Sequence, residues 1–328
     1  MKTKHCSCAA AIVMAGVFGL TAGAHAQLSA APAYPTKPVR LIVPFPPAGP
    51  TDYIARVLAQ KLSEAWGPSV IVDNRSGAGG NIGSALVAKS SGDGYTLLIT
   101  TTSMLVNQRL FANPGYDAIK DFAAVTNAAN SPILFFAHPV FPGRTMRDVA
   151  QLGKAKPVNF ASAGNGTTAH LAGEMLRTAY GVPLQHIPYK GAGPAIIDVL
   201  GGQVQVGSTA LPPPVPHVRA GALKALGVTS PKRSTALPDT PTIAESGFPG
   251  YQVDNMVGVL VRAGTPQAVI AKLNTEIVRI LSLPDVRERL ADVGFDPIGN
   301  SPAEFAAYLR SESVKWAKVV TDSGAKVD

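Results

Sequence analysis

Short apolar segments that break at glycine- or proline-rich loops and run straight into amphipathic stretches recur along this chain. That rhythm constrains the fold more than any other feature. Val39-Arg40-Leu41-Ile42-Val43 reads as a buried strand that stops at Pro44-Phe45-Pro46-Pro47-Ala48-Gly49-Pro50. A helix opens at Thr51-Asp52, with Ile54, Val57, Leu58 and Leu62 at helical spacing. A strand over 70–72, a loop over 75–80, a cap at Asn81, a helix over 82–89 and a strand over 95–100 repeat the unit. It restarts at 133–136, with a helix over 146–152 and the strand 158–160 feeding a glycine-containing loop. A helix over 170–180, a strand over 184–187, a helix over 194–200 and strands over 204–206 and 223–228 follow. After a proline-rich stretch come a strand over 257–261 and helices over 266–281, 285–293 and 302–321. Strand, loop, helix, strand at this spacing implies βαβ units and a mostly parallel sheet, an α/β fold.

The 328 residues are enough for two domains with full cores, and 46% hydrophobic content with 15% charged residues excludes a disordered chain. At the N-terminus, Lys2 and Lys4 precede thirteen apolar residues from Cys8 to Leu20, then Ala24-His25-Ala26 before Gln27. This is the pattern of a cleaved secretory signal over 1–26, since the run is short of the roughly 20 residues that span a bilayer. Cleavage removes both cysteines, Cys6 and Cys8, and lowers the formal charge from 29 − 21 = +8 to 27 − 21 = +6. Thiolate chemistry, disulfides and cysteine-ligated metal are thereby excluded from the chain after residue 26. The basic balance suits anions in general, but no dense Lys/Arg run points to nucleic acid.

Two loops share a design that binds anions, a strand running into a turn and then a helix whose first N–H groups lack intrahelical partners. In the loop over 45–52 the candidates are Phe45, Ala48, Gly49, Thr51 and Asp52. In the loop over 161–170 they are Ser162, Ala163, Gly164, Asn165, Gly166, Thr167, Thr168 and His170. Ordinary capping would use the same residues. Tyr189-Lys190-Gly191 follows a strand end and offers a phenol and an ammonium, or simply a solvated loop. The run Gly77-Ala78-Gly79-Gly80-Asn81-Ile82-Gly83 fails the dinucleotide fingerprint, because Ile82 stands where its last glycine is required. His170 and Glu174 at i, i+4 lack a third metal ligand, and Ser162 with His170 is the one local pair that a hydrolase could use.

Together these residues resemble the Bug (Bordetella uptake gene) family, the TctC-type extracytoplasmic solute-binding receptors of tripartite tricarboxylate transporters. The landmarks run in the family's order from Ile42-Val43-Pro44-Phe45 and Thr51-Asp52, through Asp73-Asn74-Arg75, Gly77-Ala78-Gly79-Gly80 and Asp93-Gly94-Tyr95. They continue through Ala161-Ser162-Ala163-Gly164, His170-Leu171-Ala172-Gly173-Glu174, Pro188-Tyr189-Lys190-Gly191 and Gly201-Gly202-Gln203 to Ala263-Gly264-Thr265-Pro266. The resemblance implies a type II periplasmic-binding-protein fold, two α/β domains closing on a ligand about a hinge, and no enzymatic activity. It implies domains over 27–127 plus 251–328 and over 128–250, with crossovers near Asn127 and Tyr251. It implies a ligand carboxylate held between the loops at 45–52 and 162–167, with Thr101, Thr102 and Ser103 completing the first domain's side.

Three departures fall near that cleft: Pro50 where the family has a second glycine, Met256 where it has an aromatic, and Gly207-Ser208-Thr209-Ala210 where it has an Asp-Asn-like pair. Pro50 removes an N–H donor. Thr209, where the family carries an acid, shifts the expected ligand from amino acids toward plain di- or tricarboxylates or aromatic carboxylates. The expectation is a periplasmic, monomeric receptor that needs no cofactor or metal and delivers its solute to TctA/TctB-like membrane subunits. A sensory receptor of the same fold and a secreted hydrolase are the alternatives.

Overall fold

The computed structural model describes residues 34–325; the signal segment at 1–26 lies outside them. The first parallel unit joins β1 (Val39–Val43), α1 (Pro50–Trp66), β2 (Val70–Asn74), α2 (Asn81–Ala88), β3 (Thr96–Thr101) and α3 (Ser103–Leu110). The 16-residue β4 (Phe122–Ala137) follows. The second unit comprises α4 (Met146–Gly153), β5 (Val158–Ser162), α5 (Thr168–Ala179), β6 (Leu184–Pro188), α6 (Ala192–Leu200) and β7 (Val206–Ala210). Then come α7 (Val215–Arg219), β8 (Lys224–Val228), β9 (Asp254–Arg262), α8 (Gln267–Leu281), α9 (Pro284–Asp292), β10 (Asp296–Pro297) and α10 (Pro302–Ser323).

The strands lie in the order β2-β1-β3-β9-β4-β7-β5-β6, with β8 and β10 also paired to β4. β1 pairs in parallel with β2 and β3, and β5 with β6 and β7. Every pairing made by β4 and β9 is antiparallel. The sheet is therefore less parallel than the βαβ rhythm predicts, because two long strands run through its middle against both units. β4 accounts for this. It pairs with β9 from Phe122 to Pro132 and with β7 and β8 from Ile133 onward, so one strand carries the chain from one half of the sheet to the other.

Strands buried on both faces are apolar on both. In β1, Leu41 and Val43 pack with Ile54, Leu58 and Leu62 of α1 and Leu273 and Ile277 of α8. Ile42, on the other face, joins Leu98, Met104 and Leu105. Leu134 and Phe136 of β4 pack with Ala195, Ile196 and Val199 of α6. Phe135, between them, faces the core that holds Phe160, Leu171, Phe305 and Trp316. α10 contributes Phe305, Leu309 and Trp316 to that layer, touches both α3 and α5, and is tied to α5 by Arg177, which donates to the Ser323 carbonyl at 3.0 Å. At roughly 25 cal/mol per Å2, burial of side chains as large as these dominates the favourable side of folding.

Local expectations fail in three instructive places. α3 and α7 carry no clear amphipathic signal in the sequence; α3 is nearly all buried, Ser103 to Asn107 included. Asn81 is not the cap of α2 but its first residue, after Gly80 at φ +100°, and its Oδ1 accepts from Asn107 at 2.9 Å and Tyr116 at 3.0 Å. β7 begins at Val206, because Val204 packs against the α6 layer instead.

Candidate functional site

Two helices of the parallel units begin beside one cavity of about 190 Å3. α1 starts behind Gly49 with Pro50 in its first turn, where the missing N–H costs no intrahelical bond. α5 starts behind Thr167, whose Oγ1 accepts from the His170 N–H at 3.3 Å. Thr51 of α1 and Thr168 and Ala169 of α5 lie on the cavity wall. Their first-turn N–H groups are the ones that a helix leaves without partners, and each helix start carries about half a positive charge.

The turn before α1 is held from behind. Asp52 Oδ2 accepts from the Ala48 N–H at 3.0 Å and from Arg56 at 2.8 Å, and Oδ1 accepts from Asn74 at 3.0 Å. Asn74 also donates to the Phe45 carbonyl at 3.1 Å. Burial works to raise the Asp52 pKa, but the hydrogen bonds from Arg56, Asn74 and Ala48 and the Arg56 charge outweigh it, and the net shift is downward. Ala48 is held at φ +62°, a strained conformation for a residue with a side chain.

The turn before α5 has its own support. Ser162 Oγ accepts from the Gly164 N–H at 3.1 Å and lies 2.6 Å from His186 Nε2. His170 Nδ1 accepts from the Gly166 N–H at 3.4 Å, and the His170 and His186 rings stack at 4.0 Å between centroids. Burial, followed by the Arg177 charge for His170 and the His170 charge for His186, pushes both pKa values down, so the pair is neutral. Two N–H groups of this loop are thus taken up by side chains behind it.

Besides those helix starts, the cavity is lined by Phe45, Pro46, Pro47, Ala48, Gly49, Thr101, Ser103, Ile133, Ala163, Thr167, Lys190, Gly191, Ala210 and Asn255, among others. Thr168 donates to Asn255 Oδ1 at 2.7 Å, joining the start of α5 to β9. A second cavity of about 410 Å3 shares Phe45, Pro46, Ala163, Thr167, Lys190 and Gly191 with the first. It extends along Gly77, Ala78, Gly79, Gly80, Phe111, Gly164, Asn165 and Tyr189. Among the described residues that line either cavity, Lys190, which is exposed, is the one charged residue. The Tyr189 hydroxyl is directed elsewhere, donating to Asp198 at 2.5 Å, and burial together with the Asp198 hydrogen bond and charge pushes its pKa up to about 12.

Of the residues expected from sequence, Phe45, Ala48, Gly49, Thr51, Thr101, Ser103, Ala163, Gly164, Asn165, Thr167 and Tyr189 line one cavity or both. Six do not: Asp52, Thr102, Ser162, Gly166, His170 and Thr209. Asp52, Ser162 and His170 are the supports just described. The Thr102 hydroxyl donates to the Asp254 carbonyl at 3.3 Å and accepts from the Met256 N–H at 3.1 Å. Gly166 packs on Asn107 and Phe111. Thr209 is fully buried and donates to the Ala210 carbonyl at 3.1 Å, so its neighbour Ala210 is the residue on the wall and the charge argument built on position 209 is corrected accordingly. The pair that a hydrolase would have used, Ser162 with His170, is not formed, because His186 lies against Ser162, and Glu174 accepts from Arg177 at 2.8 Å. Among the described residues no cluster of three His, Cys, Asp or Glu could hold a metal ion. Sequence reasoning passed over Ile133, Ala192, Pro194, Ala210 and Asn255. Only Asn255 left a signal, as a polar residue beside Asp254 at the start of β9, just ahead of its apolar run.

The model of the tripartite tricarboxylate transporter family receptor, TctC, matches residues 54–325. The chain belongs to this family. It is 37% identical over 320 residues to the protein BugT of Bordetella pertussis, covering 96% of this chain and 98% of that one. The periplasmic binding protein BugD is similar in structure, with a TM-score of 0.84 at 35% identity over 89% of this chain and 99% of the other. An R. palustris protein solved with adipate gives a TM-score of 0.85 at 35% identity, again over 89% and 99%. The fold is that of the periplasmic binding proteins, with two α/β domains. Among the described residues no helix of this TctC-family chain is long and apolar enough to cross a membrane.

Proposed function

We propose that this chain is an extracytoplasmic receptor that captures a small carboxylate by domain closure and delivers it to a tripartite tricarboxylate-type membrane transporter. The observation that carries the reading is the approach of two helix starts, at Thr51 and at Thr168, to one cavity on which Lys190 alone is charged. An anion gains there from both dipoles and from the first-turn N–H groups, whereas an ammonium finds no acid on the wall. The relative solved with adipate supports the same ligand class.

The two domains are taken as 27–127 plus 251–328 and 128–250. They carry one helix start each, so only the closed arrangement brings both onto a single carboxylate. That difference in affinity between open and closed states is what closure requires, since a ligand that binds both equally shifts nothing. In this reading the chain does no chemistry on its ligand, and Ser162, 2.6 Å from His186 Nε2, is fully buried under its own loop. The segment over 1–26 directs export to the periplasm and is removed there, and the receptor works as a monomer without a cofactor.

The test is a thermal-shift screen followed by calorimetry on the chain 27–328, with dicarboxylates, tricarboxylates, aromatic carboxylates, amino acids and the matching neutral amides. A carboxylate at about 100 times its dissociation constant should stabilise the protein by about 2.7 kcal/mol, and its amide should not. Small-angle scattering should then show a smaller radius of gyration with that ligand than without. Stabilisation by amides alone, or by nothing in the panel, refutes the carboxylate site.

A further inference from the structure

We infer that Asn165 is a self-modification site: its side-chain amide is displaced by the Gly166 nitrogen through a succinimide, and the aspartyl or isoaspartyl product puts a carboxylate into the cleft. The modification is independent of the carboxylate reading, and its effect on ligand binding rests on that reading.

Asn165 is the one asparagine of this sequence that glycine follows. Without a Cβ, a glycine offers its nitrogen to the preceding side chain with little hindrance. Asn130 and Asn300 precede serine, but each is held: Asn130 Oδ1 accepts from Asn127 Nδ2 at 2.9 Å, and Asn300 Oδ1 accepts from the Asn127 N–H at 2.8 Å. The loop of Asn165 is secured without its side chain. The Gly164, Gly166 and His170 N–H groups donate to the side chains of Ser162, His170 and Thr167, and the Thr167 hydroxyl donates to the Gly164 carbonyl. Asn165 itself is half-buried on the wall of the second cavity, and none of these bonds takes its amide.

The Gly166 N–H is directed at His170 Nδ1, 3.4 Å away, and burial keeps that imidazole unprotonated at neutral pH. As the N–H proton leaves, the Gly166 nitrogen bonds to Asn165 Cγ, the Cγ–Nδ2 bond breaks, and ammonia departs with the proton. Water then opens the ring. Attack on the Cγ side leaves an aspartyl residue, and attack on the backbone side leaves an isoaspartyl residue whose main chain runs through Cβ. One water enters and one ammonia leaves, with no change of oxidation state.

Contacts across the cleft restrain this reaction. A Cβ on Gly79 would stand 2.8 Å from the Asn165 carbonyl oxygen, and Gly166 packs on Asn107 and Phe111. Gly79, Asn107 and Phe111 belong to the other domain as divided above. Ring formation needs the Asn165 side chain and the Gly166 backbone to turn toward each other, so it is slow in the closed cleft and faster in the open one. The new carboxylate stands just ahead of the α5 start, where it occupies the positive helix end that a ligand anion uses and repels that anion. The receptor thus loses affinity as it ages, most quickly when empty.

Peptide mapping by mass spectrometry of the chain 27–328 held at pH 8.5 and at pH 5 tests this. At pH 8.5 residue 165 should pass from amide to acid, in aspartyl and isoaspartyl forms, at least tenfold faster than Asn130 or Asn300 and at least tenfold faster than at pH 5. Asn165→Gln should show no conversion at that position. Adipate at saturation should slow the conversion at least threefold, and Asn165→Asp should bind adipate at least fivefold more weakly than the wild-type chain. An amide at 165 that converts no faster than those at 130 and 300 overturns the modification site. An unaltered rate with adipate bound, or undiminished adipate affinity in Asn165→Asp, overturns its link to the cleft. Because conversion needs no ligand, failure of the chain to bind any carboxylate overturns the carboxylate reading while leaving the site at 165 standing.

Discussion

Replacing Gly166 by alanine tests how tightly the loop before α5 is pressed against the opposite wall of the cleft. Gly166 sits at φ +77°, and an added Cβ would collide with Asn107 Oδ1 and stand 3.1 Å from a Phe111 ring carbon. Asn107 is fully buried and cannot swing away cheaply, since its Nδ2 donates to the Gly79 carbonyl at 3.0 Å and to Asn81 Oδ1 at 2.9 Å. The left-handed backbone alone costs an alanine about 1–2 kcal/mol. Displacing Asn107 breaks two hydrogen bonds at about 1 kcal/mol each, for a total of about 3–4 kcal/mol. Gly181 separates the two contributions, because it has φ +66° and nothing within 4 Å of an added Cβ, so Gly181→Ala should show the backbone cost alone. Scanning calorimetry of the two variants with the carboxylate that stabilises the wild-type chain, which holds the cleft closed, should place Gly166→Ala about 4 °C or more below Gly181→Ala, given about 2–4 °C per kcal/mol for chains approaching this size. In an Asn107→Ala background the further cost of Gly166→Ala should fall to that of Gly181→Ala. Equal melting of the two single variants would refute the argument, since it would mean that the amide yields without cost.

The buried imidazoles make stability depend on pH in one direction. Both His170 and His186 have folded pKa values below the ordinary imidazole range, so their contribution is complete above about pH 6.5 and is lost as pH falls below it, where the unfolded chain binds more protons. Denaturant unfolding at pH 7 and pH 5 should show the loss, and equal stability at both would exclude a neutral buried pair. Asp52→Asn should cost about 1–2 kcal/mol, because an amide has one acceptor oxygen where the carboxylate uses two, Oδ2 for Ala48 and Arg56 and Oδ1 for Asn74, with carboxylate affinity falling as the turn loosens. Wild-type melting and affinity in that variant would show that the turn holds itself. Thr168→Val and Asn255→Leu should each cost about 1 kcal/mol and couple in a double-mutant cycle, since they remove opposite ends of one buried hydrogen bond. Strict additivity would argue that the bond contributes nothing.

Much of the fold was legible because its signals are local. Leu41, Leu58 and Leu273 declare their faces by periodicity, and Thr145 and Ser301 close capping boxes with Asp148 and Glu304. What escaped depends on neighbours distant in the chain. β4 looked like a four-residue strand because its earlier part, Ala123-Ala124-Val125-Thr126-Asn127, lacks alternation and is ordered by β9 through two register shifts. α3 is helical although Ser103, Asn107 and Gln108 weaken its apolar pattern, since tertiary burial overrides propensity.

The candidate site divides along the same line. The loops at 45–52 and 161–170 could be named from the sequence because a strand, a turn and a helix start are consecutive residues, and unpaired N–H groups follow from helix geometry alone. The sequence also settled that the chain after residue 26 offers no thiolate, and that Pro50 donates no N–H. Which side chains face the cavity was decided only by the packing. Ser162, His170 and Asp52 bear the chemistry that a motif search notices, yet each turns inward to brace its loop, because a buried polar group must find a partner. Ile133, Ala210 and Asn255 line one cavity from three separate strands, and Lys190 joins them from the loop after β6. Their convergence depends on the strand order β9-β4-β7-β5-β6, a long-range arrangement that no local pattern encodes.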